Sequence, residues 1–405
     1  MIQRSIYIDK ILPFINKPLI KILTGIRRSG KSVLLMLIKE ELLKRNISES
    51  QIIYINFESL EYMDIDSAIK LYKYIKEKIT KEDKIYILLD EIQNVPEWEK
   101  AINSFMVDFD SDIYITGSNS RLLSSELATL LAGRYIEINV EPLSFCEYLE
   151  FTETYKQHSI ENTHISFQHY LRMGGFPAIH TGNYTIESAY KIISDIYASV
   201  ILRDTIQRNN IRNVELLNRL VRYLFDNVGN LFSAKNIADY FKSQQRKIDI
   251  NTVYNYLDSL ESAFILHKVS RYNIKGKEIL KTNEKYYMGD HAFAYALMGY
   301  HDRWIAGVLE NIVMLELSRR GYSVYVGKFD DKEIDFVAEL RSERIYVQVA
   351  YKLTDESTIS REFTPLLAID DHYPKYVVTM DDFWKDNIEG VKHVHIADFL
   401  LQNQW

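Results

Sequence analysis

Residues 25–32 read Gly-Ile-Arg-Arg-Ser-Gly-Lys-Ser, a G-x-x-x-x-G-K-[ST] pattern, and its flanks narrow the fold more than any other stretch of the chain. The apolar run Ile20–Thr24 leads in as a strand, and Val33-Leu34-Leu35-Met36-Leu37-Ile38 leads out as a helix. That order is the one in which a glycine turn points consecutive backbone N–H groups at phosphate oxygens beside a helix N-terminus. Gly25 and Gly30 would supply the turn, with Arg28, Ser29 and Val33 beside them in the expected cradle. Lys31 would reach the β and γ phosphates and act in catalysis, and Ser32 would ligate Mg²⁺. The expected ligands are therefore ATP and Mg²⁺.

A magnesium ion held this way needs a further carboxylate. Ile85-Tyr86-Ile87-Leu88-Leu89-Asp90-Glu91 offers one at the end of a strand apolar enough to be buried on both faces. Asp90 is expected in the Mg²⁺ shell, and Glu91 stands where a general base for the attacking water is wanted. The next apolar strand ends in Gly117-Ser118-Asn119-Ser120. Ser118 or Asn119 would position water against the γ phosphate; the alternative is an ordinary turn.

Short β-branched runs alternate with helical patterns through the first third of the chain, which predicts a parallel sheet with crossover helices. The expected strands are 20–24, 51–56, 85–90, 112–116 and 135–139, with helices near 31–45, 66–79 and 97–107. Past Pro142 the pattern turns helical and is broken at Gly174-Gly175-Phe176-Pro177. Three short helices and a hairpin come next over 215–271, the spacing of a winged helix, and then strands near 322–327, 333–339, 344–351 and 376–379. The predicted fold class is α/β: a parallel nucleotide-binding sheet with helices on both faces, a helical and winged-helix region, and a small C-terminal α/β domain. The expected domains are 1–145, 146–212, 213–275 and 276–405.

Five motifs resemble the AAA+ group of P-loop ATPases, in the prokaryotic branch that carries a C-terminal domain of unknown function. They are Thr24–Ser32, Leu88-Leu89-Asp90-Glu91-Ile92-Gln93, Thr116–Ser120, and Ala132-Gly133-Arg134-Tyr135 with Pro142-Leu143-Ser144-Phe145. Weaker likeness at Leu202-Arg203-Asp204, Lys285–Asp290 and Glu333–Val337 extends it along the chain. The resemblance implies that Asp90-Glu91 is the Walker B pair and that Ser118 or Asn119 is the first sensor. It also implies that Arg134 stabilises charge on the transferring phosphoryl group, in its own subunit or a neighbour's; the alternative for Arg134 is a structural salt bridge. Arg27 is expected to be solvated or to face a partner.

The chain of 405 residues carries a net charge of −7, yet nine basic residues stand against four acidic ones between Arg203 and Lys247. That segment would grip the phosphates of duplex DNA without sequence choice, or else pack against protein. Farther on, Glu310, Asp335 and the strand 345–350 follow the order of a PD-(D/E)xK nuclease, but Gln348 and Ala350 stand where an acid and a lysine belong, with Lys352 two residues on. The reading is a nuclease-like domain without cleavage.

One cysteine, Cys146, excludes an internal disulfide or thiolate cage. The start of the chain lacks the apolar core of a secretory signal, and no apolar run is long enough to span a bilayer, so a cytoplasmic location is expected. The function expected is that of a Mg²⁺-dependent ATPase coupling nucleotide state to its C-terminal modules. The alternatives are a nucleotide-gated protein-interaction module and an ATP-dependent nuclease. The partners expected are ATP, duplex DNA, a protein partner and further copies of the chain, with no membrane.

Overall fold

A computed structural model of the chain describes residues 2–405 except 80–82, 119–130, 132, 157–161, 247 and 383–386. It divides into two compact units, Met1–Glu141 with Ser262–Phe264, and Pro142–Glu261 with Ile265–Trp405. The N-terminal stretch of the first unit runs to Glu141.

In the first unit the elements run α1 (Ser5–Ile11), β1 (Ile20–Thr24), α2 (Lys31–Lys44), β2 (Ile52–Asn56), α3 (Ala68–Lys78), β3 (Ile85–Asp90), α4 (Trp98–Asp108), β4 (Ser111–Thr116) and β5 (Tyr135–Asn139). The five strands form one parallel sheet in the order β2-β3-β4-β1-β5. Successive side chains of a strand point to opposite faces, so one apolar strand feeds two cores. Ile87 and Leu89 join Ile22, Leu71, Ile75, Ile102 and Phe105 on the α3–α4 side. Tyr86 and Leu88 join Tyr7, Leu23, Leu34, Leu35 and Ile38 on the α1–α2 side. This is why β3 is buried at all six positions and why the sheet is parallel with helices on both faces, as expected. The central strands β4 and β1 end side by side, where Gly117 N–H donates to Leu23 O (3.0 Å). Open parallel sheets hold their ligands at that edge.

The second unit begins with helices α5 (Phe145–Lys156), α6 (Thr163–Met173), α7 (Pro177–His180) and α8 (Ile186–Val200). Gly174, at φ +75°, breaks the chain between α6 and α7, and a Cβ there would come within 2.4 Å of Asp290 Oδ1. Asp290 in turn accepts the Gly175 N–H (2.7 Å). Then come α9 (Val214–Asp226), β6 (Leu231–Phe232), α10 (Ala234–Ser243), α11 (Ile250–Ser262), β7 (Leu266–Asn273) and β8 (Glu278–Met288). After α12 (Ala292–Met298) and α13 (Ile305–Arg319) lie β9 (Ser323–Phe329), β10 (Lys332–Leu340), β11 (Glu343–Val349), α14 (Glu356–Leu367), β12 (Lys375–Thr379), β13 (Asn387–Ile388), β14 (Val391–His395) and α15 (Ile396–Leu401).

Among the described residues, nine strands make one sheet, ordered β13-β14-β12-β11-β10-β9-β7-β8-β6. A division at 275/276 would cut the β7–β8 hairpin between its strands, and β7 continues into β9 by parallel pairing. The backbone thus joins the three-helix segment to the C-terminal strands, a pairing across fifty residues that local pattern does not signal. No helix of the described residues is long and apolar enough to cross a membrane.

Candidate active site

The turn after β1 is forced by close approach. Gly25 sits at φ +134° with the Val140 carbonyl where a side chain would be, so that a Cβ would lie 2.3 Å from its oxygen. Gly30, at φ +99°, caps α2 in the left-handed region that glycine adopts at little cost, and Arg28 is held there as well at φ +70°. Lys31 opens α2 almost wholly buried, its ammonium donating to Gly25 O (2.9 Å) and Ile26 O (3.0 Å). Ser32 is half-buried beside it, and Arg28 and Val33 are exposed. The buried hydroxyl oxygen of Ser29 has no hydrogen-bond partner among the described residues, a polar atom of the kind a bound ligand satisfies.

Sequence reasoning missed the group that holds this turn from beneath. Arg4, 2 % exposed just ahead of α1, donates to Ser29 O (2.8 Å) and Glu141 O (2.9 Å) and lies 4.5 Å over the Tyr7 ring. Tyr7 accepts the Glu141 N–H at its hydroxyl (3.0 Å). A lone arginine twenty-one residues before the glycine pattern carries no signal in one sequence.

Asp90 and Glu91 lie buried at the end of β3. Thr116, at the end of the neighbouring β4, donates its hydroxyl to Asp90 Oδ1 (2.5 Å) and accepts the Glu91 N–H (2.9 Å). One side chain thus fixes both acids, a role not foreseen, although adjacent parallel strands of matched length bring their ends together. Tyr54 donates to the other Asp90 oxygen (3.4 Å). Glu91 is held at φ +55°, and burial raises its carboxyl above the ordinary range against the pull of Lys31 and Arg27. Gln93 donates its side-chain amide to Glu91 Oε2. Arg27 is not free in solvent: it is paired with Glu58 and close enough to Glu91 to act on its charge. Glu137 on β5 accepts the Thr24 hydroxyl (2.6 Å), and burial raises its carboxyl too.

Ser118 is buried directly beyond β4; Asn119 lies outside the described residues. Arg134 stands away from the turn within its own chain. It is exposed at the start of β5, and its carbonyl takes the N–H of Ile20 at the opposite end of β1 from Gly25. Four rises of strand, about 13 Å, separate that end from the turn. Arg134 therefore does not serve this site from its own chain.

In the second unit Lys285 of β8 lies 3.2 Å from Glu310, 2.9 Å from Glu333 and 3.3 Å from Asp335. Burial works against its charge, but Tyr287 and the three acids together hold its pKa well above the ordinary value. Burial, then Asp335, pushes Glu310 up to about 8. The lysine among these acids is thus Lys285, while Lys352 is exposed over the Tyr351 ring. Gln348 accepts the Asp335 N–H (3.2 Å) and donates to Glu362 (2.8 Å), a bracing role.

Residues 17–149 match the family described as an AAA domain, and 165–303 match a domain of unknown function. An uncharacterized protein of Haemophilus influenzae is 40 % identical over 403 residues, 99 % of each chain. One from Methanocaldococcus jannaschii is 31 % identical over 365 residues, 88 % of this chain and 78 % of its own. Among solved structures, a Walker-type ATPase of Pyrococcus abyssi aligns with 73 % of this chain and 96 % of its own at 18 % identity, with a TM-score of 0.49.

Proposed function

We propose, from the premise that this chain belongs to one family with its Haemophilus and Methanocaldococcus relatives and itself matches an AAA domain over residues 17–149, that it binds ATP with Mg²⁺ and hydrolyses the γ phosphate. The observation that carries the reading is the Thr116 hydroxyl, which ties a hard-oxygen metal ligand and a buried base into one unit at the sheet edge that bears the glycine turn.

The amides of residues 25–33 would bind the phosphates, with Lys31 turning from the turn's own carbonyls to the β and γ oxygens. Ser32 and Asp90 would supply the oxygen donors that hold the metal, which when bound would neutralise phosphate charge. Glu91 takes a proton from the attacking water, and its raised pKa makes it the better acceptor.

The test is phosphate release. Lys31→Ala should abolish it together with ATP binding, and Glu91→Gln should keep binding while slowing release by about 10²-fold or more. Equal turnover in wild type and Lys31→Ala would overturn the reading.

A second reading, a nucleotide-held switch with little turnover, is favoured by one contact: the Gln93 amide already occupies a Glu91 oxygen. Turnover that rises in Gln93→Ala would support it. For the second unit, three helices joined to the β6–β8–β7 ladder support a winged helix, though its third helix bears no Lys or Arg. Glu310, Asp335 and Lys285 gathered together support a nuclease-like scaffold, and a neutral Gln348 in place of the second acid supports its not cleaving.

A further inference from the structure

The second unit carries a cleft of about 1010 Å³, walled by α9, α10 and the 297–304 stretch between α12 and α13. Arg219, Arg222, Arg246 and Arg303 line it against two carboxylates, Glu215 and Asp226. Each carboxylate braces a pair of side chains. Glu215 takes Arg219 (2.9 Å) and Arg246 (3.2 Å), and Asp226 takes Arg303 and the indole N–H of Trp304 (2.8 Å). The cleft therefore keeps an excess of positive charge, with three of its four arginines braced, which lowers the entropy lost when an anion binds.

Part of its remaining lining is aromatic. Tyr223 and Tyr240 stack with centroids 4.2 Å apart, and Tyr240 remains 41 % exposed, so the pair offers a flat ring at the wall. Trp304 stands beside the Arg303 guanidinium, 5.2 Å from the ring centroid. Free phosphate or a phosphorylated side chain has use for the guanidinium groups but none for the rings. A duplex has its bases stacked internally, and its major groove alone is about 12 Å wide, too large for such a space. A single strand presents phosphates and open base faces together, and stacking on tyrosine accepts any base.

We propose that this cleft binds single-stranded nucleic acid, its arginines on the phosphates and the Tyr223–Tyr240 pair under a base. The site is separate from the third helix of the winged-helix reading and independent of the ATP site, since every residue in it belongs to the second unit.

The experiment is fluorescence anisotropy on the full chain with a labelled twelve-nucleotide oligo-dT, the matching oligo-rU, a duplex of that length and a phosphorylated peptide of equal charge. Titrations run from 50 to 200 mM salt, with near-UV circular dichroism confirming that each variant folds. The single strands should bind more tightly than duplex or peptide. Tyr240→Ala should weaken binding at least about fivefold. Arg222→Ala with Arg246→Ala should reduce the slope of log affinity against log salt by about 1.4. Lys235→Ala, exposed on α10 outside the cleft, should change neither. No single-strand binding at 50 mM salt, equal or tighter binding of duplex or peptide, or folded cleft variants that bind like wild type would each overturn the proposal.

Discussion

Arg4 and Ser29 are joined through a single hydrogen bond, 2.8 Å from a buried guanidinium to the backbone oxygen in the middle of the glycine turn. Four of that turn's constraints are steric or local: the left-handed φ values at Gly25, Gly30 and Arg28, and the Val140 carbonyl behind Gly25. Arg4 is the long-range one. Its second bond, to Glu141 O, fixes the turn to the segment that leaves β5.

Replacing Arg4 by Ala leaves two buried carbonyls without this donor, and an unsatisfied buried acceptor costs about 1–3 kcal/mol. We expect a loss of about 2–5 kcal/mol in urea unfolding on that basis, and a drop of about tenfold or more in affinity for a fluorescent ATP analogue. Unchanged affinity in folded protein would mean that the glycines alone shape the turn.

Thr116→Val removes the hydroxyl shared by Asp90 and Glu91 while keeping the side chain's volume. A hydrogen bond to a charged group contributes about 1.5–3 kcal/mol, so kcat should fall by about tenfold to a hundredfold. The Mg²⁺ concentration for half-maximal rate should rise as well. Steady-state kinetics at varied Mg²⁺ reads both, and a rate equal to wild type would remove Thr116 from the site.

Lys21 on β1 and Asp112 on β4 form an ion pair with both side chains fully buried, and Asp112 also accepts from Asn16 N–H (2.8 Å) and Tyr114 OH (2.9 Å). Burial lowers the Lys21 pKa although Asp112 opposes it. Removing one partner of such a pair costs about 3–5 kcal/mol, because the other charge is left in the interior. Lys21→Met should show that loss, and Lys21→Met with Asp112→Asn should recover more than half. Denaturant titration of the three proteins decides it.

Glu310 has a folded pKa of about 8 against an ordinary value of 4.5. The folded state therefore binds more protons than the unfolded state between those values, and this group's contribution to stability falls as pH rises from about 4.5 to 8. Glu310→Gln should flatten that decline, read as the difference between its unfolding midpoints and those of wild type from pH 5 to 9. A difference that does not change with pH would show that Lys285 keeps Glu310 ionised throughout.

The first sheet is legible in the sequence because buried parallel strands have no polar face: Ile85–Leu89 and Ile113–Ile115 announce themselves, and the glycine pattern fixes the turn and helix after β1. The strand order is not legible, since β-branched runs record burial and not neighbours. At the site, Lys31, Asp90 and Glu91 stand in recognisable positions, whereas Arg4, Thr116 and Gln93 act through contacts that only the folded chain creates. Arg134 shows that a motif's place in sequence does not say which end of a strand it occupies. Lys285 escapes notice for a related reason: the nuclease pattern puts its lysine on the strand of Gln348, and the sheet brings one from β8 instead.

The peptide between Glu141 and Pro142 is gripped on both sides. Arg4 holds the carbonyl of Glu141, and Arg319, also buried, holds that of Pro142 (2.9 Å). Within the first unit any displacement of Ser29 passes to Glu141 through a single arginine, so the glycine turn and the exit from β5 shift as one piece.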